Sequence, residues 1–174
     1  MQVNHNGTYF PADGPVLPMN NRAFHFGDGL FETIRVVKGR ACFLDAHWAR
    51  LTEGLRALRI DMPEGLGLDR LRQAIGELLE RNGLQAARCR LTVYRDSPGY
   101  YRPAHNKGAY ALELFTVEHG NFILNDRGFT VDLYPVMRKP VNMLSVHKAL
   151  GAQLNVMASL WSIEQHLDNC LLQN

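Results

Sequence analysis

Lys148, Arg50 and a run of arginines between Arg88 and Arg102 are the residues here whose types and spacing can do chemistry. Lys148 stands in His147-Lys148-Ala149-Leu150, after a basic, proline-containing connector and at the start of an apolar helical pattern that runs to His166. A lysine is not what the positive end of a helix dipole prefers, a hint that something else keeps it there. Partial burial lowers a lysine's pKa and frees the neutral amine for Schiff-base chemistry with a carbonyl. Lys107 and Lys139 are the competing lysines, and neither lies in such a context.

Arg50 belongs to His47-Trp48-Ala49-Arg50-Leu51, where His47 and Arg50 are three residues apart and point the same way on a helix. On the helix pattern alone Arg50 is a solvated charge beside an apolar face. A guanidinium fork also matches phosphate oxygens in a bidentate way. Arg88, Arg90, Arg95 and Arg102 lie around one strand and the loop after it, with Tyr94, Tyr100 and Tyr101. They read either as a polar sheet face with a surface loop or as a trap for a substrate carboxylate.

Other chemistries lack their residues. Gly27-Asp28-Gly29 precedes a strand, and the third glycine of a dinucleotide loop would fall on Glu32. The turn instead calls for positive φ. There is no nucleophile elbow and no Walker loop, and none of the seven histidines forms an i, i+4 ligand pair, so no metal is indicated.

The elements that must position these groups follow from turn signals and periodicity. Asn6-Gly7 is the turn of a tight hairpin within residues 3–10, and residues 30–37 form a strand turned by Lys38-Gly39. Asp45 reads as the N-cap of a helix whose apolar face is Trp48, Leu51, Leu55 and Leu58. A second helix starts near Asp69 and stops at Asn82-Gly83. Strands follow over 87–95, 109–116 and 129–136, then a helix from about Lys148 to His166, then the start of a strand at Asn169. Strands first, then two helices, more strands and a helix make an α+β pattern rather than a regular alternation.

Composition excludes several classes of partner. The net charge of +2 gives no electrostatic case for nucleic acid, and no apolar run approaches a membrane span. The polar N-terminal residues and three widely spaced cysteines read as a cytoplasmic protein with reduced thiols.

The stretch from Phe24 to Arg35, the pattern His47-x-x-Arg50-Leu51 and the lysine of His147-Lys148-Ala149-Leu150 together resemble the class IV aminotransferases. These are fold-type IV enzymes dependent on pyridoxal 5'-phosphate (PLP), among them branched-chain and D-amino-acid aminotransferases and 4-amino-4-deoxychorismate lyase. The resemblance implies that Lys148 binds the cofactor covalently and acts as general base, and that Arg50 anchors its phosphate. It places Phe31, Arg95 and Arg102 at the substrate. Phe31 stands where some relatives carry tyrosine, which removes a hydroxyl and points to a different substrate. The implied activity transfers an amino group between an amino acid and a 2-oxo acid, in a homodimer. The alternatives are a PLP lyase of the 4-amino-4-deoxychorismate type and a non-enzymatic assembly module.

The family's length runs beyond Asn174. The expectation is therefore a small two-layer N-terminal domain over residues 1–118 and the opening of a large, pseudo-barrel PLP-binding domain over 119–174. On that reading the chain is a fragment or a truncated product, with weak or absent PLP binding by itself.

Overall fold

The computed structural model describes residues 1–174. Strands β1 (Gln2–His5) and β2 (Thr8–Pro11) form the hairpin that Asn6-Gly7 predicts, with both turn residues at positive φ. A short helix α1 (Arg22–Phe26) follows, unforeseen in sequence because it is a single turn without apolar periodicity. Its N-cap is Asn21, whose side chain accepts from the Ala23 N–H at 2.8 Å, and Gly27 ends it in the left-handed region. Strand β3 (Gly29–Val37) then turns through Lys38-Gly39 into the short β4 (Arg40–Ala41).

Helices α2 (Leu44–Ala57) and α3 (Leu68–Asn82) supply the second layer. The N-cap of α2 is Phe43 rather than Asp45: Phe43 takes a left-handed conformation to swing the chain out of β4, and Asp45 falls inside the first turn. Strands β5 (Ala87–Arg95) and β6 (Gly108–Phe115) complete a six-stranded antiparallel sheet in the order β2-β1-β6-β5-β3-β4.

Alternation sends one side of this sheet against the helices. Leu30, Ile34 and Val36 on β3, Cys89, Leu91 and Val93 on β5 and Leu112 and Leu114 on β6 pack on Leu51, Leu55, Leu71, Ile75 and Leu78 of the helices. The two-layer α+β architecture read from the sequence is the one observed over this part of the chain.

Beyond β6 the chain is more open, and only Tyr134, Ala158 and Ser162 are buried there. Strand β7 (Val131–Leu133), helix α4 (Gln153–Glu164) and strand β8 (Asn169–Leu171) make a parallel β-α-β unit. Tyr134 meets Trp161 edge-on, with ring centroids 5.7 Å apart. The strand expected over 129–136 shrinks to three residues, and the helix expected from Lys148 begins five residues later. The reason is pairing: residues 148–150 run as an extended strap along β3, so their backbone groups bond to a strand instead of to each other. No helix of the structure is long and apolar enough to cross a membrane.

Candidate active site

Strand β4 pairs with β3 only at Val36 and Val37, which leaves the other half of that β3 edge free. The 148–150 strap fills it. Leu30 and Ala149 form an antiparallel bridge, the Phe31 N–H donates to the Lys148 carbonyl at 2.9 Å, and the Leu150 N–H donates to the Gly29 carbonyl at 3.1 Å. Two glycines make room for this. A Cβ on Gly29 would lie 2.5 Å from the Val93 carbonyl oxygen and 2.9 Å from Leu150 Cδ1. A Cβ on Gly54 of α2 would meet Leu30 Cδ1 at 2.6 Å and His147 Nδ1 at 3.6 Å. Both positions need a bare backbone because a neighbouring element comes so close.

The strap fixes Lys148 opposite Phe31. Its Nζ stands 4.2 Å from the centre of the Phe31 ring, and the Arg90 guanidinium stands 4.0 Å from the same ring. Partial burial pushes the Lys148 amine below its ordinary pKa; the Glu32 carboxylate opposes this, and the charges of Arg50, Arg90 and Lys139 add to it. The lysine singled out in sequence thus sits where the neutral amine is favoured, though on a strap and not on a helix.

Glu32 points the other way from β3, into the layer of α2, and is almost wholly buried. Arg50 donates to both its oxygens, from Nε at 2.7 Å and from Nη2 at 2.6 Å, and the His47 Nδ1–H donates to Oε2 at 2.7 Å. Burial alone would raise the Glu32 carboxyl, but the hydrogen bonds from Arg50 and His47 outweigh it and hold the group below its ordinary value. Arg50 is correspondingly held more firmly protonated by Glu32. Half of the Arg50 side chain remains exposed, and its Nη1 has no protein acceptor. One edge of the fork is fixed by Glu32 and the other is open to an anion.

Phe31, Lys148 and Arg50 are therefore gathered at one edge of β3. Arg95 and Arg102 are not brought there. Arg95 is buried: Nε and Nη2 donate to Asp28, Nη2 to the Leu58 carbonyl, and Nη1 to the Arg59 carbonyl and Asn106 Oδ1. Every N–H of that guanidinium has a protein acceptor, so in this structure it ties α1, the end of α2 and the 96–107 loop together. Arg102 lies exposed in that loop and its side chain makes no hydrogen bond or ion pair. The loop itself is held from α1, where Arg22 donates to the carbonyls of Gly99 at 2.9 Å and Tyr100 at 2.5 Å.

Glu32 and Arg90 are the members of the cluster that residue-by-residue reading passed over. The available signal was parity: in a strand with Leu30, Ile34 and Val36 inward, Glu32 shares their face, and an acid there requires a buried cation or donor.

The residues present fit a carbonyl-bearing phosphate such as PLP, for which they offer a depressed amine on Lys148 and the unpartnered edge of Arg50.

Comparison with known proteins agrees with this arrangement. The family model described as amino-transferase class IV matches residues 29–174. A Methanocaldococcus jannaschii protein assigned as a branched-chain-amino-acid aminotransferase is 30% identical over 173 residues, covering 99% of this chain and 59% of that protein. A Mycobacterium tuberculosis protein named bifunctional aminodeoxychorismate lyase / D-amino acid transaminase is 36% identical over 81 residues, 47% of this chain and 27% of the relative. The crystal structure of a branched-chain aminotransferase from Thermoproteus uzoniensis with norvaline superposes with a TM-score of 0.85 at 21% identity, over 100% of this chain and 60% of that one. The chain thus spans less than two thirds of the length of each of these proteins.

Proposed function

This chain belongs to the class IV aminotransferase family, and on that premise we propose that it serves a PLP-dependent transfer of an amino group between an amino acid and a 2-oxo acid. The observation that carries the reading is the strap: backbone pairing to β3 sets Lys148 over Phe31, where its amine is depressed by burial.

PLP, when bound, supplies an electron sink for the bond broken at the substrate's Cα. The chain's own residues do the rest. Lys148 Nζ is the covalent anchor and, once released, takes and returns the Cα proton as a general base whose pKa suits that exchange. Arg50 binds the phosphate through the donors that Glu32 leaves free. Glu32 holds the fork at a fixed angle and His47 completes the carboxylate's partners. The Phe31 ring floors the site and sheds water from Lys148. Arg90, on the same ring, supplies charge for a substrate carboxylate beside the reacting carbon. A homodimer in the cytoplasm is part of the same proposal, and light scattering tests the assembly.

The test is the absorbance of the purified protein with added PLP, then borohydride reduction and peptide mapping. A visible band and a reduced pyridoxyl group on Lys148, absent from Lys148→Ala, are expected. Labelling spread over Lys38, Lys107 and Lys139 overturns the assignment. With the cofactor in place, pyruvate release without a 2-oxo acid acceptor would replace transamination by the lyase activity that the Mycobacterium tuberculosis relative's name includes.

A further inference from the structure

The side of the six-stranded sheet turned away from α2 and α3 carries Phe31, Thr33 and Arg35 of β3, Arg88, Arg90 and Thr92 of β5, and Glu113 and Phe115 of β6. The register sets Thr33 opposite Arg90 and Arg35 directly opposite Arg88. Like charges facing each other across neighbouring strands destabilise a sheet, so an Arg–Arg pair asks for an anion. None is supplied by the chain. Glu113 is opposite Arg90, yet no carboxylate lies within ion-pair distance of Arg35, Arg88 or Arg90.

Both outer guanidiniums are already positioned. The Arg88 guanidinium stands 4.8 Å from the centre of the Phe115 ring. Arg35 donates from Nη2 to the carbonyls of His119 and Asn121, while its buried Nε–H has no acceptor. A buried donor without a partner is destabilising and is rarely left in a native structure. Between them lies a cavity of about 450 Å³ lined by Thr33, Arg35, Arg88, Thr116 and Val117.

Two residues along a strand are about 7 Å, so Arg88 and Arg35 lie that far beyond Arg90, on the side away from Lys148. We propose that Arg35 and Arg88 form a second carboxylate subsite, and that the amino-acid substrate presented to Lys148 is a dicarboxylate whose far carboxylate is held there. The inference rests on the aminotransferase reading for the amine chemistry and on the sheet face alone for the second anion. Arg90 takes the carboxylate beside the reacting carbon. Arg35 and Arg88 select substrates with a second one several carbons away, and a purely aliphatic side chain leaves both guanidiniums unmatched.

Calorimetric titration of the purified chain tests this without the cofactor, using the α,ω-dicarboxylates glutarate and pimelate and the monocarboxylate hexanoate as probes. Pimelate should bind about tenfold more tightly than hexanoate, the value of one charge-assisted hydrogen-bonded contact, and more tightly than the shorter glutarate. Arg88→Gln, at an exposed position, should erase the advantage of pimelate and leave hexanoate unchanged; Arg88→Lys should restore only part of it. In the unaltered protein, pimelate should also shift the ¹⁵N resonance of Arg35 Nε. Equal binding of pimelate and hexanoate, an advantage that survives Arg88→Gln, or an unmoved Arg35 resonance overturns the subsite. A pimelate preference without PLP labelling of Lys148 keeps the anion site and removes the aminotransferase reading. Labelling without the preference does the reverse.

Discussion

Lys148 and Phe31 are joined twice: the Phe31 N–H donates to the Lys148 carbonyl at 2.9 Å, and the Lys148 ammonium stands 4.2 Å from the centre of the Phe31 ring. The backbone bond sets the register of the strap and the ring sets the surroundings of the amine. The same strand that buries the core therefore also fixes the reactive nitrogen.

Gly29→Ala tests that coupling. The added methyl would press on the Val93 carbonyl at 2.5 Å and on Leu150 Cδ1 at 2.9 Å, so the strap must lift or β5 must move. Overpacking of this kind costs about 1–3 kcal/mol. Urea titration should show a loss in that range. Hydrogen exchange should show faster exchange at the amides of Phe31 and Leu150 than in the unaltered protein. Unchanged protection of those two amides would mean that the strap does not depend on Gly29.

The depressed pKa of Lys148 predicts its reactivity. At any pH below the ordinary lysine value of 10.5, a lowered pKa leaves a larger neutral fraction, and the neutral amine is the nucleophile. Competitive reductive methylation across a pH series, read by mass spectrometry, should give Lys148 a titration midpoint below that of the exposed Lys107. A midpoint at or above that of Lys107 contradicts the burial effect.

Much of this was legible in the sequence. Asn6-Gly7, Lys38-Gly39 and Asn82-Gly83 mark their turns through local chemistry, and the alternation of Arg88 to Val93 gives the faces of β5. Lys148 and Arg50 stood out by type and setting. What sequence reading missed was tertiary. Leu150 fits a helical apolar stripe equally well, but the vacant edge of β3 competes for its N–H and wins. Arg95 reads as a solvent-facing strand end, yet Asp28 and three other acceptors close around it from distant segments. Neither partner set is encoded in the local pattern.

Arg95 and Arg102, both read as substrate-binding in sequence, should now separate by stability. Arg95→Ala leaves the partly buried Asp28 with only Arg22 and strips acceptors from Leu58, Arg59 and Asn106. Breaking a buried ion pair by removing one partner costs about 3–5 kcal/mol. Arg102→Ala, on an exposed loop, should stay within about 0.5 kcal/mol. Thermal melts of both variants decide the matter. A normally folded Arg95→Ala protein with weakened carboxylate binding would return Arg95 to the substrate.

Glu32 carries a pH signature whose sign follows from its partners. Burial raises its carboxyl and the hydrogen bonds from Arg50 and His47 lower it further, so the folded value lies below the ordinary 4.5. A depressed carboxyl stabilises the fold above its unfolded pKa, and that stability is lost as pH falls through the folded value. Glu32→Gln removes the charge at every pH. The stability gap between the two proteins should therefore be widest above about pH 5 and close as the pH drops below the folded pKa. Denaturant midpoints measured from pH 3 to pH 7 give this directly. In Glu32→Gln the Arg50 fork also loses its bidentate anchor, so PLP affinity at neutral pH should weaken while Lys148 stays the labelled residue. A pH-independent gap would mean that Glu32 is not an ionised partner of Arg50. A gap that closes on acidification, with unweakened PLP binding, would leave Glu32 supporting the fold but not the position of the phosphate-binding arginine.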